Sequence, residues 1–383
     1  MKTRMARPGV LWVVLTAGVA LAVTAALGAR AAGPDVFAIT GARVVPVAGP
    51  PIDGGTVIVR DGIIDAVGAG LPAPAGSHVI DGKGLVVYPG LIDLGNGAGL
   101  DVRMPAEPQN ARTRLEVERW KRQMILRPQV EAADCVRPDA PELKRLASAG
   151  ITSILAVPPG SVVRGQSALL NTAAKEDEAQ IGNIADERRG LYVVRSPVAL
   201  HVEFAERPGR GESYPASLMG VVGFLRQSFA DAAYYSASFA RYEKKRGPRP
   251  VYDPALEAMQ PAVSGRMPVV FEADGRTQIL RALAFASEFA LDPIVSGARE
   301  ADKVADDLKA RKARVIYSLD LPLRPLTLAP EADEPIEALR LRANAPRVPA
   351  ALAKAGVAFA FTSGGRREPR DFLRNAAKVV KGG

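Results

Sequence analysis

His201 and Glu203 stand two residues apart in the apolar run ALHVEF, and Glu272 closes the run VVFE in MPVVFEADG. In an extended strand, alternation puts His201 and Glu203 on one face. An imidazole and two carboxylates could gather as a polar cluster or hold a metal weakly. The plainer reading is a hydrogen-bonded histidine with two ordinary carboxylates. The inventory around them is thin: the 383 residues include two histidines, His78 and His201, and one cysteine, Cys135. A metal site built on three or four imidazoles cannot be assembled from these. A serine hydrolase lacks its elbow, since no G-x-S-x-G occurs, and Ser217 reads as a helix N-cap. Cys135 has no plausible histidine partner and no second thiol for an internal disulfide. Gly95, Gly97 and Gly99 form G-x-G-x-G, but Asp101-Val102-Arg103-Met104-Pro105 comes next rather than a helix, which argues against dinucleotide binding.

Two rhythms organise the chain. Residues 36–88 read as short strands and tight turns: TVIVRDGIIDAVG is a hairpin about Asp61-Gly62, and SHVIDGKGLVVYPG predicts a second strand pair about residues 81–84. From Leu85 onward strands alternate with helices. The pattern predicts strands over 85–94, 151–157, 191–194 with 199–204, 268–273, 293–296, 314–319 and 358–362. It predicts helices over 112–127, 141–149, 217–246, 254–260, 276–289, 300–310, 335–355 and 370–381. Apolar runs such as Val269-Val270-Phe271 suit parallel strands buried on both faces. The expected architecture is α/β: a (β/α)8 TIM-like barrel over 89–383 behind a small β module, with an open doubly wound sheet as the alternative.

A specific phrase sharpens this. Val79-Ile80-Asp81, Gly84, Val87 and Pro89-Gly90-Leu91-Ile92-Asp93 match the form V-I-D-x-x-G-x-x-V-x-P-G-L-I-D-x-H-x-H. With AGITSILAVP, MPVVFEADGRTQILRALAFASEF and KAGVAFAFTSGG in the same order, the chain resembles the amidohydrolase superfamily, especially its imidazolonepropionase-like and dihydroorotase-like branches. The resemblance covers about residues 36–383, more weakly in the middle. It implies a β-sandwich-like module joined to the barrel in one composite domain. It also implies one or two divalent metals, held by a histidine pair after the first barrel strand, histidines after the fifth and sixth, and an aspartate after the eighth. In this sequence those positions fall on Gly95, Gly97, Glu272, Ser296 and Gly364, the last flanked by Ser363 and Gly365. Only Glu272 could bind a metal, so no resident cofactor is expected.

Two functions are consistent with this. One is a catalytically silent homologue, exported, that binds a small ligand or pairs with itself or an active paralogue. The other is a working hydrolase of C–N bonds in amides or small peptides, its ligands relocated to Glu203, Glu272 and His201.

The N-terminus points to export. Lys2, Arg4 and Arg7 precede an uncharged run over 10–28, and Ala29-Arg30-Ala31 offers a cleavage pattern, so residues 1–32 read as a signal peptide or uncleaved membrane anchor. The destination would be periplasmic or secreted. Removing this segment takes away four of the positive charges and lowers the formal net charge from +9 to +5. Lys244-Lys245-Arg246 ends a predicted helix, where cations complement the dipole, so nucleic-acid binding is not expected. The chain stops at Gly383, and the resemblance implies later strands that would complete the β module, so a C-terminally truncated barrel domain is expected. The helix over 217–246 carries more aromatic residues than one buried stripe needs, which suggests a core-facing helix or a partner surface.

Overall fold

The computed structural model describes residues 36–138, 140–173, 192–205, 214–329, 332–364 and 368–383. The segment 1–32, the start of the strand expected at Leu191, and Gly365 lie outside the described residues. The chain divides into two compact units, Met1–Pro89 and Gly90–Gly383.

The first unit is one sheet. Strands β1 (Val36–Val44), β2 (Ile52–Arg60), β3 (Ile63–Ala69) and β4 (His78–Asp81) lie in the order β3-β2-β1-β4, and β5 (Val86–Val87) also pairs with β1. The β2–β3 turn has positive φ at both central residues, 51° at Asp61 and 76° at Gly62, as the Asp-Gly pair predicts for a type I′ turn. Ala42, Val44 and Val57 form its small core. The second hairpin does not form. Strands β4 and β5 both run parallel to β1 instead of pairing with each other. Gly82 donates its N–H to the Thr40 carbonyl at 2.7 Å and Arg43 donates to Leu85 at 2.9 Å, so the segment 82–85 continues along β1 rather than turning back.

In the second unit, β6 (Leu91–Asn96), β7 (Ile151–Ala156), β8 (Val163–Gln166), β9 (Ala168–Asn171), β10 (Val193–Arg195), β11 (Leu200–Glu203), β12 (Val269–Ala273), β13 (Pro293–Gly297), β14 (Arg314–Ser318) and β15 (Phe359–Thr362) form two sheets, ordered β10-β9-β7-β6 and β15-β14-β13-β12-β11-β8. The two meet on both flanks. On one flank β8 and β9 are halves of a single segment: β8 pairs with β11 and β9 with β7, and Ser167 between them donates to Ala199 O at 2.9 Å. On the other flank Ser363 N–H donates to Asp93 Oδ1 at 2.8 Å, and Thr362 Oγ1 donates to Gly95 O at 3.2 Å.

The strands therefore succeed one another round a barrel. Leu155, Ala199, Val270 and Ile316 fill its interior. The alternate residues, such as Val269, Phe271, Val295 and Tyr317, belong to the larger core outside it.

This barrel is not the uniform βα repeat that the sequence pattern predicts. Strands β6 and β7 are parallel, as are β11 to β15, but the segment 163–171 runs antiparallel to its neighbours on both sides. Between β7 and β8 the chain has only residues 157–162, with Pro158, Pro159 and Gly160 among them. A return that short permits antiparallel pairing, whereas a parallel crossover needs roughly a dozen residues or more.

Outside the strands lie α1 (Arg114–Ile125), α2 (Pro141–Ser148), α3 (Leu218–Glu243), α4 (Pro254–Ala258), α5 (Gln260–Val263), α6 (Arg276–Glu288), α7 (Ala305–Ala310), α8 (Ile336–Asn344), α9 (Val348–Ala355) and α10 (Arg370–Lys381). The single helix expected over 335–355 is interrupted by a 3-10 turn at Ala345–Arg347, because Pro346 and Pro349 cannot donate to preceding carbonyls. No described helix is long and apolar enough to cross a membrane.

Asp93 is fully buried, and its second oxygen accepts from Asn96 Nδ2 at 2.9 Å. Asp93→Ala would leave two donors unpaired at the β6–β15 flank. The substitution is expected to lower the unfolding free energy by about 2–4 kcal/mol. The readout is a lower urea midpoint at unchanged slope. A loss below about 0.5 kcal/mol would show that this flank needs no carboxylate.

Candidate functional site

The strands β11 to β15 each carry an inward polar side chain at the last or next-to-last position: Glu203, Glu272, Ser296, Ser318 and Thr362. The register sets Glu203 beside Glu272 and Glu272 beside Ser296. These residues line a cavity of about 510 Å³. All five positions singled out in the sequence, Gly95, Gly97, Glu272, Ser296 and Gly364, lie on its wall, as does Glu203.

His201 is not among the lining residues. It pairs with Val270 in the barrel interior, one layer deeper than Glu203, and is 1% exposed. Neither ring nitrogen has a hydrogen-bond partner among the described residues. Burial, with a smaller contribution from the Arg164 charge, depresses its pKa from 6.5 to about 3, so the ring is neutral at ordinary pH. His78, in β4, stacks on Phe37 with ring centroids 5.2 Å apart.

Two guanidinium groups that the sequence pattern did not single out set the cavity's charge. Arg164, on the antiparallel strand β8, reaches Glu272 Oε1 at 3.3 Å. Burial pushes the Glu272 carboxyl above its usual range, while Arg164 and a hydrogen bond from Ser296 oppose that rise. Arg299 lies between Asp274 and Asp320, 3.7 and 3.6 Å from their oxygens. Asp274 is raised too, chiefly by burial, and Arg299 again opposes. Asp274, Arg299 and Asp320 all sit within two residues of a strand's C-terminal end, where barrel sites are built. That placement was the signal available for them. For Arg164 there was none, because its strand was not expected.

A divalent metal with an activatable water needs several imidazole or carboxylate ligands and an open position. The five positions offer one carboxylate, Glu272, and a guanidinium already faces it. Among the described residues, no group of three or more His, Cys, Asp or Glu side chains could hold an ion. Two of the three glycines, Gly364 and Gly95, are also enclosed, whereas a Cβ at Gly97 would meet only Val157 O, at 3.7 Å. At Gly364, with φ of 67°, a Cβ would meet Ser318 Oγ at 2.6 Å and Asp320 Cβ at 2.8 Å. At Gly95, a Cβ would come within 3.0 Å of Thr362 Oγ1. The side chains present do not fit the metal centre that the resemblance implies.

No protein-family model matches the chain. Over 91% of its length it is similar to the crystal structure of an amidohydrolase from Thermotoga maritima, with a TM-score of 0.69, 23% identity and 84% of that chain covered. A prolidase structure complexed with N-methylphosphonate-L-proline aligns over 91% of this chain and 84% of its own, at 15% identity and a TM-score of 0.49. In sequence, 38 residues are 53% identical to a dihydroorotase of Geobacter sulfurreducens; the match takes in 10% of this chain and only 9% of that enzyme. The fold is similar to that of the Thermotoga amidohydrolase: a TIM-like barrel, with a small β unit in the same chain.

The neutral His201 makes stability pH-dependent. Unfolded, the ring takes a proton near pH 6.5; folded, it stays neutral down to about pH 3. The unfolded state therefore binds more protons within that window, and the His201 contribution to stability, full above pH 6.5, is lost as pH falls. The expected loss is about 1.4 kcal/mol per pH unit below 6.5, measured by urea unfolding. His201→Leu should remove that component, and an unchanged slope would contradict the buried neutral ring.

Proposed function

We propose that this protein is a catalytically silent amidohydrolase homologue that binds a small polar ligand in the barrel-mouth cavity. One observation carries the reading: all five ligand positions of the resemblance line a single cavity, yet contribute only Glu272, which is paired with Arg164. What remains is a concave site walled by paired charges and hydroxyls, suited to holding a molecule rather than polarising a water.

The reading includes export, from the segment 1–32, and association with a second copy or with an active paralogue. The alternative, a hydrolase of amide or small-peptide bonds working through Glu203, Glu272 and His201, is disfavoured by the depth and depressed basicity of His201.

Purified protein incubated with zinc, freed of excess and assayed on amides and dipeptides is expected to show no turnover. It should also retain far less than one zinc per chain. Turnover that requires zinc, with both lost in Glu272→Ala, would overturn the reading in favour of the alternative.

A further inference from the structure

A second concavity, of about 470 Å³, lies at the C-terminal end of α3. One wall is a stripe of that helix, in which Tyr234, Ser238 and Arg241 recur at four- and three-residue steps. The other wall is the segment 246–251, RGPRPV. Its position is set by how α3 ends. Lys245 adopts the left-handed conformation, with φ of 55°, donating to Tyr242 O at 2.8 Å, and Arg246 N–H donates to Arg241 O at 2.9 Å. This paired closure reverses the chain, and Pro248 and Pro250 stiffen the segment beyond it.

The nine residues 241–249, RYEKKRGPR, hold five cations and one acid. None of Arg241, Lys244, Lys245, Arg246 and Arg249 makes an ion pair with a described side chain, and all five are exposed. The helix dipole accounts for cations in the last turn, but Arg246 and Arg249 lie beyond the helix. Both line the concavity, together with Arg241.

Two nearby acids, Asp231 on the wall itself and Asp253, already accept hydrogen bonds. Asp231 accepts from Gln227 Nε2 at 2.6 Å, and Asp253 caps α4, accepting from the N–H groups of Ala255 and Leu256 at 2.8 and 3.1 Å. Tyr234 is 70% exposed, so its ring stands free at the rim. Tyr235 beneath it is buried, its ring centroid 4.7 Å from that of Phe239.

We propose that this concavity binds a ring-bearing organic phosphate, with the phosphate held by Arg241, Arg246 and Arg249 and the ring lying on Tyr234. The planar guanidinium fork matches phosphate oxygens, and an exposed tyrosine face takes a flat ring at little entropic cost. The volume falls within the range of small-ligand sites, about 300–1,000 Å³. The phosphate ester belongs to a soluble molecule rather than a lipid surface: the lining cations are arginines, and Lys244 and Lys245 beside them do not line the concavity.

The test is calorimetric titration of the whole protein with adenosine 5′-diphosphate as the probe. One-site binding is expected, at least about tenfold weaker in Arg241→Ala/Arg249→Ala. Affinity in Lys244→Ala/Lys245→Ala should stay within about twofold. Tyr234→Ala should weaken the diphosphate but leave inorganic pyrophosphate binding unchanged, a check that survives if the arginine variant folds poorly. Absence of binding, equal weakening by the arginine and lysine pairs, or binding only to vesicles containing phosphatidylglycerol overturns the proposal.

Discussion

Everything at the barrel mouth depends on how the ring of strands closes between β6 and β15. The buried Asp93 carboxylate accepts the Ser363 N–H on one oxygen and the Asn96 amide on the other. Asn96 in turn accepts the Ala98 N–H at 2.8 Å, which shapes the loop after β6. A carboxylate taken wholly out of water is tolerable only when its lone pairs are met this fully. The same contacts fix residues 95–97 against residues 362–364, and so place the two glycine loops side by side on the rim of one opening. The aspartate of the Pro-Gly-Leu-Ile-Asp phrase thus serves closure.

Above that closure, the cavity is governed by charge pairing in a partly dry space. Two guanidinium groups sit among four carboxylates, each arginine within ion-pair reach of at least one. Burial raises Glu272 and Asp274 while the arginines hold them down. A metal would have to displace Arg164 from Glu272 and find further ligands where Ser296, Gly95 and Gly364 now stand. Ser318 and Asp320 already pack into the space a side chain at Gly364 would enter. The space beside Gly364 is thus filled by neighbouring side chains rather than left open.

Much of this was legible because burial and hydrogen bonding leave marks in composition. Nearly continuous apolar runs announced strands such as β12 and β14, the Asp-Gly pair announced the β2–β3 turn, and the pattern delimited the helix Arg370–Lys381. Pro-Gly-Leu-Ile-Asp located the mouth, and the register then gathered Gly95, Gly97, Glu272, Ser296 and Gly364 on one wall. Apart from the proline-broken helix over 335–355, the misses share a cause: they turn on long-range pairing that local pattern does not encode. The segment 163–171 lacks the alternation of an evident strand, and it is a strand because β7 and β11 lie on either side. With it went Arg164. His201 kept to the predicted alternation, but how deep it lies depends on barrel register, and depth rather than face removes it from the cavity. The paired strands expected about residues 81–84 failed because β1 offered both a parallel partner.

The proposed function rests on a cavity in which Arg164, rather than a metal, faces Glu272. Crystals grown in millimolar zinc and measured across the zinc absorption edge test this most directly. The predicted result is no anomalous peak in the cavity, with Arg164 still against Glu272. A peak about 2.0–2.2 Å from a Glu272 oxygen, with Arg164 swung away, would contradict it.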